Sequence, residues 1–283
     1  MKYMTFNSSC AFAGIANMLE KFGVDVQDYE IALGMQLPYL FTYDSANDAY
    51  VTGISLQSAE LFNRYLNTLG INFSDVLHER ENVPHVLDIL TCRAMLPIAR
   101  DGGGKHAVIY LGLNNDKYTF LNNRRADSAE PAELSFTATE LIDVLDSPCP
   151  IGQLERCNVR VADFTPYFSE SIAVLEKYRG ALHDFCGTQR RFDEINNAKN
   201  RLFRPLVLDG LAMMQMIGNT PMIEILVEIQ TQFYAVLREK AAANLQKRLD
   251  FARIDDAISG YVDLISKQRC VDALYARDAL CTS

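Results

Sequence analysis

The change of sequence pattern near residue 163 constrains the fold of this 283-residue chain more than any other feature. Before it, short apolar runs alternate with turns rich in Gly, Asn and Asp, and after it apolar residues recur at close to a helical period. The first pattern is typical of mixed strands and helices, and the second of packed helices. We therefore predict an α+β fold with two domains, 1–163 and 164–283, of which the second is α-helical.

Thr-Pro pairs predict helix starts in the second half, because threonine caps a helix and proline suits its first turn. They are Thr165-Pro166 and Thr220-Pro221. A further helical stretch is predicted over about 254–274. A methionine cluster in the same half packs irregular apolar space, and we interpret it as core rather than as a ligand pocket. It comprises Met213, Met214 and Met216.

Apolar runs in the first half predict three consecutive strands of an antiparallel sheet. They cover residues 94–99, 106–111 and 117–122. Gly102-Gly103-Gly104 separates the first two strands, and Asn114-Asn115-Asp116 predicts a hairpin turn between the next two. Residues 150–158 are predicted to form a loop.

The charge distribution excludes some classes of partner. Residues 1–163 hold 12 Lys and Arg against 21 Asp and Glu, a balance of −9, whereas residues 164–283 hold 15 of each. An acidic surface repels phosphate, so we predict no nucleic-acid partner. No apolar run approaches the ~18 residues of a membrane-spanning helix, so we predict no membrane association.

The cysteine count and the first residues predict a cytoplasmic protein. The chain has 7 cysteines, an odd number that fits free thiols in a reducing compartment. Its first residues lack the apolar core of a secretory signal. The sequence leaves the oligomeric state open, a homo-oligomer included.

Cys10 is the residue with the strongest indication of chemistry. The sequence predicts a helix from Cys10 to Phe22, with capping side chains at 7–9 and Gly23 at its end. In a first helical turn, unpaired backbone N–H groups and the helix dipole stabilise a thiolate. A cysteine buried for structural reasons is the more frequent case. The residues that accompany Cys10 favour a nucleophile.

A cysteine nucleophile needs a base, and His106 is the best placed histidine. It opens a predicted strand directly after the glycine run. Asn122 lies at the end of the next strand and faces it across the hairpin, where its amide oxygen accepts the ring N–H. Asn123 is the alternative if the register shifts by one residue. The remaining histidines are interpreted as surface residues: His78, His85 and His183.

The order of Cys10, His106 and Asn122 resembles the papain-like fold and, more narrowly, the bacteriocin-processing peptidase domains. The resemblance covers roughly residues 5–130, where those peptidases usually have Asp in place of Asn122. It includes Lys21-Phe22-Gly23, a second helix starting at Gly53-Ile54-Ser55-Leu56, and Gly104-Lys105-His106-Ala107-Val108-Ile109. It implies a Cys-His-Asn triad and an antiparallel sheet that packs against the nucleophile helix.

Over all 283 residues the chain is similar to the butirosin-biosynthesis acyltransferase family, which joins a papain-like half to a helical half. Leu202-Phe203-Arg204-Pro205 begins a segment that resembles an Arg-containing helix in the second half of that family. The similarity implies transfer of an acyl group from a carrier-protein thioester to an amine through a cysteine thioester. The partners would be an acyl carrier protein and a small amine substrate.

The sequence departs from the peptidase pattern before the nucleophile. Papain-like peptidases usually have Gln six residues before the cysteine, where Met4 stands here. Loss of one oxyanion donor costs about 10²–10³ in turnover, which a reactive thioester tolerates better than a peptide. The candidate oxyanion donors are the Cys10 backbone N–H and either Asn7 or Ser8. Acyl transfer is the leading expectation; a bacteriocin-processing type of peptidase or amide hydrolase, and an inactive papain-like binding module, are the alternatives.

Basic side chains flank the proposed base and its partner and are candidates for binding a substrate phosphate or carboxylate. They are Lys105, Arg124 and Arg125. Solvated surface charges are the more frequent explanation. No CxxC or HxxxH spacing occurs, and the glycine run lacks the Lys-Ser/Thr of a phosphate-binding loop. We predict no metal and no cofactor.

Overall fold

The chain divides into two compact units. The computed structural model describes residues 1–7, 9–46, 49–52, 57–100, 104–183, 224, 227, 255, 256 and 258–267. The first unit comprises Met1–Met35 with Gln57–Arg160, and the second Gln36–Leu56 with Val161–Ser283. The segment 36–56, which the sequence analysis assigned to the first domain, thus groups with the second unit.

The secondary structure mixes helices and strands. The helices are α1 (Cys10–Leu19), α2 (Asp28–Gly34), α3 (Ala59–Leu66), α4 (Val83–Ile89), α5 (Ala138–Val144) and α6 (Thr165–His183). The strands are β1 (Phe41–Asp44), β2 (Ala49–Thr52), β3 (Ile71–His78), β4 (Ala94–Ala99), β5 (Lys105–Asn114), β6 (Lys117–Asn122), β7 (Glu133–Phe136) and β8 (Cys149–Arg156). Residues 255, 256 and 258–267 are also helical. Within the described residues, no helix has the length and apolar content needed to cross a bilayer.

The described strands of the first unit form a six-stranded sheet in the order β3-β8-β4-β5-β6-β7. Every neighbouring pair is antiparallel. The predicted α+β class and antiparallel sheet are therefore confirmed. The strands predicted at 94–99, 106–111 and 117–122 are β4, β5 and β6, the second of them longer than predicted.

The β5–β6 hairpin turns where the sequence predicts it. Asn115 and Asp116 have φ of 50° and 59°, the left-handed conformation of a two-residue hairpin turn, which Asn and Asp tolerate better than other non-glycine residues. Val108 pairs with Asn122 at the open end. Because side chains alternate along a strand, this register puts the side chain of Asn122 on the same face of the sheet as that of His106.

The prediction of a loop over 150–158 is wrong for most of that range. Strand β8 pairs with β3 along its whole length and occupies an inner position of the sheet. Pro150 and Gly152, which indicated a loop, are compatible with this strand. A Cβ on Gly152 would lie 2.5 Å from the Phe73 ring, so the glycine makes room for an aromatic side chain of β3.

Helices cover both faces of the sheet. On one face, α4 and α5 pack over a buried cluster that includes Leu96, Val108 and Phe120. On the other face, α1 contacts β4 and β5. All residues of α1 after Cys10, from Ala11 to Leu19, are buried, which fixes this helix against its neighbours.

The second unit has its own core. The Phe41 N–H of β1 donates to Ser171 Oγ of α6 at 2.8 Å, and the rings of Phe41 and Tyr261 are 5.3 Å apart. Helix α6 begins at Thr165, as predicted, and Ile258 and Ile265 are buried on the helical segment 258–267. The predicted start at 220–221 and the methionines 213, 214 and 216 lie outside the described residues.

Candidate active site

Cys10 is the first residue of α1 and is partly exposed. The Ala13 N–H donates to the Ser9 carbonyl at 2.8 Å, which makes Ser9 the residue that precedes the helix. A helix leaves its first backbone N–H groups without intrahelical partners. The nucleophile candidate therefore stands at an accessible and positively polarised helix end.

The predicted side-chain capping of α1 by residues 7–9 is wrong for Ser9. Its hydroxyl donates to the Phe6 carbonyl at 2.8 Å and makes no cap hydrogen bond with the helix. Ser8 lies outside the described residues. The Ser9 side chain thus leaves the first N–H groups of α1 available to another acceptor.

His106 and Asn122 form the hydrogen bond that the hairpin register predicts. The Nε2 atom of His106 lies 2.7 Å from Oδ1 of Asn122. His106 is 3% exposed and Asn122 is 2% exposed. The pair is therefore shielded from competing water.

Two further acceptors fix the orientation of the Asn122 carboxamide. Its Nδ2 lies 2.9 Å from the Pro131 carbonyl and 3.3 Å from Oε2 of Glu130. Both oxygens only accept hydrogen bonds, so Nδ2 must face them and Oδ1 must face His106. The ring therefore donates through Nε2–H. In the neutral imidazole, Nδ1 is then the atom that can accept a proton.

Arg100 and Glu130 form an ion pair beside this carboxamide. Nη2 of Arg100 lies 2.6 Å from Oε2 of Glu130. Burial raises the pKa of Glu130, but the hydrogen bond from Asn122 and the charge of Arg100 outweigh it and hold the pKa below its usual range. Glu130 is thus an ionised acceptor at neutral pH.

The surroundings of His106 favour the neutral imidazole. Burial lowers its pKa, and the positive charge of Arg100 lowers it further. The hydrogen bond with Asn122 and the charge of Glu130 act in the opposite direction without reversing the shift. At pH 7 the ring is therefore a base with a free Nδ1 lone pair.

Helix α1 runs alongside β5 in the same direction. A Cβ on Gly14 would lie 3.1 Å from Cδ1 of Ile109. One turn later, Met18 lines a cavity of about 640 Å³ together with Leu111. The direction from Cys10 to Leu19 in α1 is therefore the same as the direction from Lys105 to Asn114 in β5.

This alignment sets the level of Cys10 along β5. Cys10 precedes Gly14 by four residues, about 6 Å of helix. A strand covers that distance in about two residues. An alignment of α1 parallel to β5 would therefore place Cys10 toward the beginning of the strand.

Among the described residues, no hydrogen bond joins Cys10 to His106, although both lie toward the beginning of their elements. Strand alternation puts Ala107 on the face that contacts α1 and His106 on the other face. At the nearby Gly104, a Cβ would have nothing within 4 Å. Catalysis by Cys10 and His106 together would therefore require the imidazole to move toward the tip of α1.

Asn123 joins α1 to the sheet. Its Nδ2 donates to the Ala107 carbonyl at 2.9 Å, and its Oδ1 accepts from Nδ2 of Asn17 at 3.3 Å. A Cβ on Gly14 would lie 2.8 Å from Nδ2 of Asn123. Asn123 therefore holds the helix that bears Cys10, while its neighbour Asn122 contacts the base.

Asn7 is the candidate side-chain oxyanion donor that lies within the described residues, whereas Ser8 lies outside them. Asn7 is exposed, and its Oδ1 accepts from Nη1 of Arg125 at 3.2 Å. Met4, at the position of the usual Gln, donates its backbone N–H to the Arg124 carbonyl at 3.0 Å. The carboxamide of Asn7 thus keeps its Nδ2 as a donor beside the start of α1.

The three basic candidates for substrate contact all have partners within the protein. Nζ of Lys105 pairs with Asp146 at 2.8 Å, and Nη1 of Arg124 donates to the Ser128 carbonyl at 2.6 Å. Arg125 binds Asn7. These contacts favour structural roles for Lys105 and Arg124 and tie Arg125 to an oxyanion candidate.

Among the residues that the structure describes, the remaining histidines and cysteines show no comparable site. His78 is half-buried and His85 is exposed, and the side chain of His183 lies outside the described residues. Burial raises the pKa of Cys149 to about 11, so this thiol is protonated. Within the described ranges, no group of three His, Cys, Asp or Glu residues could hold a metal ion.

Sequence reasoning missed Arg100, Glu130 and the carbonyl of Pro131. Glu130 and Pro131 precede β7, whose four residues were not predicted as a strand. A β6–β7 hairpin would have placed the residues before β7 beside the end of β6 and so beside Asn122. The short alternating Glu133–Phe136 segment was the available signal.

No protein-family model matches this chain, and no curated protein matches it either. The inference of function therefore depends on the geometry of the site.

Proposed function

We propose that the protein is a cysteine acyl-transfer enzyme in which Cys10 is the nucleophile, His106 the base and Asn122 the residue that orients the base. The observation that carries the proposal is the 2.7 Å contact from His106 Nε2 to an Asn122 carboxamide whose orientation is fixed on its other side. This arrangement leaves Nδ1 as the proton acceptor, the role that thiol catalysis requires.

The reaction has two balanced stages. In the first, Nδ1 of His106 takes the Cys10 proton, the sulfur attacks the thioester carbonyl, and the departing thiolate receives that proton from the imidazolium. In the second, an amine attacks the acyl-enzyme thioester, loses a proton to Nδ1, and Cys10 leaves and is reprotonated. The first N–H groups of α1 and Nδ2 of Asn7 stabilise the oxyanion in both stages.

The proposed architecture is a papain-like catalytic domain followed by a helical domain. Support for the first comes from the order and spacing of Cys10, His106 and Asn122 and from the packing of α1 on the antiparallel sheet. Support for the second comes from α6 and the helical residues 258–267. The proposed partners are an acyl carrier protein and a small amine.

A thioester donor fits the site better than a peptide. Met4 offers no side-chain donor where papain-like peptidases usually have Gln. A weaker oxyanion site penalises cleavage of a stable amide more than cleavage of a reactive thioester. Acyl transfer therefore ranks above peptide hydrolysis.

The test is to offer an N-acetylcysteamine thioester, with and without an amine acceptor, and a Gly-Gly peptide in a separate assay. The proposal predicts thioester turnover that Cys10→Ala abolishes. A matched control is Cys92→Ala, which removes an exposed thiol and leaves the rate unchanged. Turnover of the peptide alone would replace the transferase proposal with the peptidase alternative.

A non-catalytic papain-like binding module is the second candidate function. The observation in its favour is the missing donor at Met4, whose backbone pairs with Arg124. A binding module predicts that Cys10→Ala leaves every measured activity unchanged. Any thioester turnover that depends on Cys10 excludes it.

A further inference from the structure

We infer that Arg100 and Glu130 are positioning residues, whose ion pair holds the Asn122 carboxamide in the orientation that accepts from His106. The inference rests on the proposed function, because it concerns the base of that reaction. It assigns roles to two residues that sequence reasoning did not select.

One carboxylate oxygen connects the pair to the base. Oε2 of Glu130 accepts from Nη2 of Arg100 at 2.6 Å and from Nδ2 of Asn122 at 3.3 Å. Asn122 in turn accepts from His106 at 2.7 Å. A continuous chain of hydrogen bonds therefore runs from the guanidinium to the imidazole.

The ion pair also joins the two loops that flank the base and its partner. The backbone N–H of Arg100 donates to the backbone carbonyl of Gly104 at 2.9 Å. Gly104 lies two residues before His106. Glu130 belongs to the loop that follows Asn122. Fixing these loops together limits the separation of His106 and Asn122.

Charged side chains from several neighbouring elements surround the His106 imidazole. Arg100 follows β4, and Glu130 lies between β6 and β7. Lys105 of β5 is paired with Asp146, which follows α5, and both side chains are more than half exposed. Burial is the largest influence on the pKa of His106; among the charges, Arg100 lowers this pKa and Glu130 raises it.

A purely structural role makes a different prediction. The side chains of Arg100 and Glu130 are 40% and 44% exposed, and exposed ion pairs contribute little to folding stability. Breaking a pair with a purely structural role would leave the orientation of Asn122, and with it the tautomer of His106, unchanged. Breaking a pair that positions Asn122 would loosen the carboxamide and with it the preference of His106 for a single tautomer.

The experiment uses the full chain with Arg100→Gln, Glu130→Gln and the double variant. Nitrogen-15 NMR of the imidazole rings reports the tautomer and the titration midpoint, and the His106 signals are identified by their loss in His106→Ala. We expect the midpoint to rise in Arg100→Gln, to fall in Glu130→Gln and to lie between the two in the double variant. Wild type shows Nε2 protonated and Nδ1 unprotonated above the midpoint.

A second variant separates the hydrogen bond from the charge. Glu130→Gln keeps an oxygen that accepts from Asn122, whereas Glu130→Ala removes it. We expect Glu130→Ala to lower thioester turnover about 10-fold to 100-fold, the effect of losing a hydrogen bond to a charged group, and Glu130→Gln to lower it less. In each Gln variant, the pH at which the rate rises should shift in the same direction as the His106 titration midpoint measured by NMR.

The matched control is Glu81→Gln, which breaks the Arg80–Glu81 ion pair of similar length and exposure. It should leave the His106 midpoint and the rate unchanged. Equal midpoints in wild type, Arg100→Gln and Glu130→Gln would overturn the inference even if Cys10 is reactive. If Arg100→Gln raises and Glu130→Gln lowers the His106 titration midpoint while Cys10 is unreactive, the positioning role is upheld and the proposed function is overturned.

Discussion

Asn17 of α1 and Asn123 at the end of β6 meet through their carboxamides, with Nδ2 of Asn17 3.3 Å from Oδ1 of Asn123. Asn123 is completely buried and also donates to the Ala107 carbonyl. Its neighbour Asn122 faces the opposite side of the sheet and contacts His106. Adjacent asparagines thus make separate contacts, one with helix α1 and the other with His106.

Asn122→Ala should impair the chemistry. The variant removes the acceptor for Nε2–H, so the imidazole loses its fixed tautomer and orientation. We expect kcat/KM for the thioester to fall roughly 10-fold to 100-fold, the effect of leaving one buried donor unpaired. Steady-state kinetics checks this, with nitrogen-15 NMR showing the loss of a single tautomer.

Asn123→Ala is the companion variant and should impair stability instead. It removes the Asn123 donor from the Ala107 carbonyl and one of the three acceptors of Asn17 Nδ2, at a cost of about 1–3 kcal/mol in the free energy of unfolding. The His106 titration midpoint should stay at its wild-type value. If Asn123→Ala rather than Asn122→Ala moved that midpoint, the assignment of the two residues would be reversed.

Gly14→Ala should destabilise the first unit. The added methyl would lie 2.8 Å from Nδ2 of Asn123 and 2.9 Å from Sδ of Met95, closer than a real Cβ contact allows. Overpacking of this kind costs about 1–3 kcal/mol. Denaturant unfolding measures the effect.

The control for this substitution is Gly180→Ala, at a position of α6 where a Cβ has nothing within 4 Å. There alanine should stabilise by about 0.5–1 kcal/mol through its higher helix propensity. Equal changes in the free energy of unfolding for Gly14→Ala and Gly180→Ala would contradict the close packing of α1 on the sheet.

Stability should depend on pH through His106. Burial lowers the pKa of the folded-state imidazole, so between that pKa and about 6.5 the unfolded chain binds the proton more readily. Stability from this residue is therefore fully present above about pH 6.5 and is lost as the pH falls through the folded-state pKa. The free energy of unfolding, measured from pH 5 to 8, should fall more steeply below pH 6.5 in wild type than in His106→Gln. Parallel curves would contradict the burial of a neutral ring.

Asn7→Ala tests the second oxyanion donor. Arg125 holds Oδ1 of Asn7, which leaves Nδ2 to donate. We expect kcat for the thioester to fall about 10²–10³-fold with little change in KM, as for the loss of an oxyanion donor. Asn7→Asp should be no better, because a carboxylate cannot donate. An unchanged kcat would remove Asn7 from the proposed mechanism.

Much of the fold near the site could be predicted because its signals are local. The Asn114–Asp116 turn sets the hairpin register, and the register determines which asparagine lies on the same face as His106. Helix α1 begins at Cys10 as predicted and ends at Leu19, and a 3₁₀ turn over Glu20–Phe22 leads to the left-handed Gly23 (φ 78°) that the sequence indicated as the stop. These features need only short-range periodicity and turn chemistry.

The rest depends on contacts between residues far apart in sequence. Strand β8 reads as a loop because Pro150 and Gly152 are locally poor strand residues, and its pairing with β3 becomes visible only in the folded sheet. The Arg100–Glu130 pair spans 30 residues, with no pattern in either segment to link them. The contacts of Asn122 Nδ2 with Pro131 and Glu130 could not be predicted for the same reason.

The rate of Cys10 alkylation by iodoacetamide, followed by peptide mapping in wild type and His106→Ala, tests the central claim most directly. A thiol paired with an imidazole at a helix start should react faster than the exposed Cys92 and the half-buried Cys157, and His106→Ala should remove this advantage. If Cys10 reacts no faster than these two thiols, or equally fast without His106, then Cys10 and His106 do not act together.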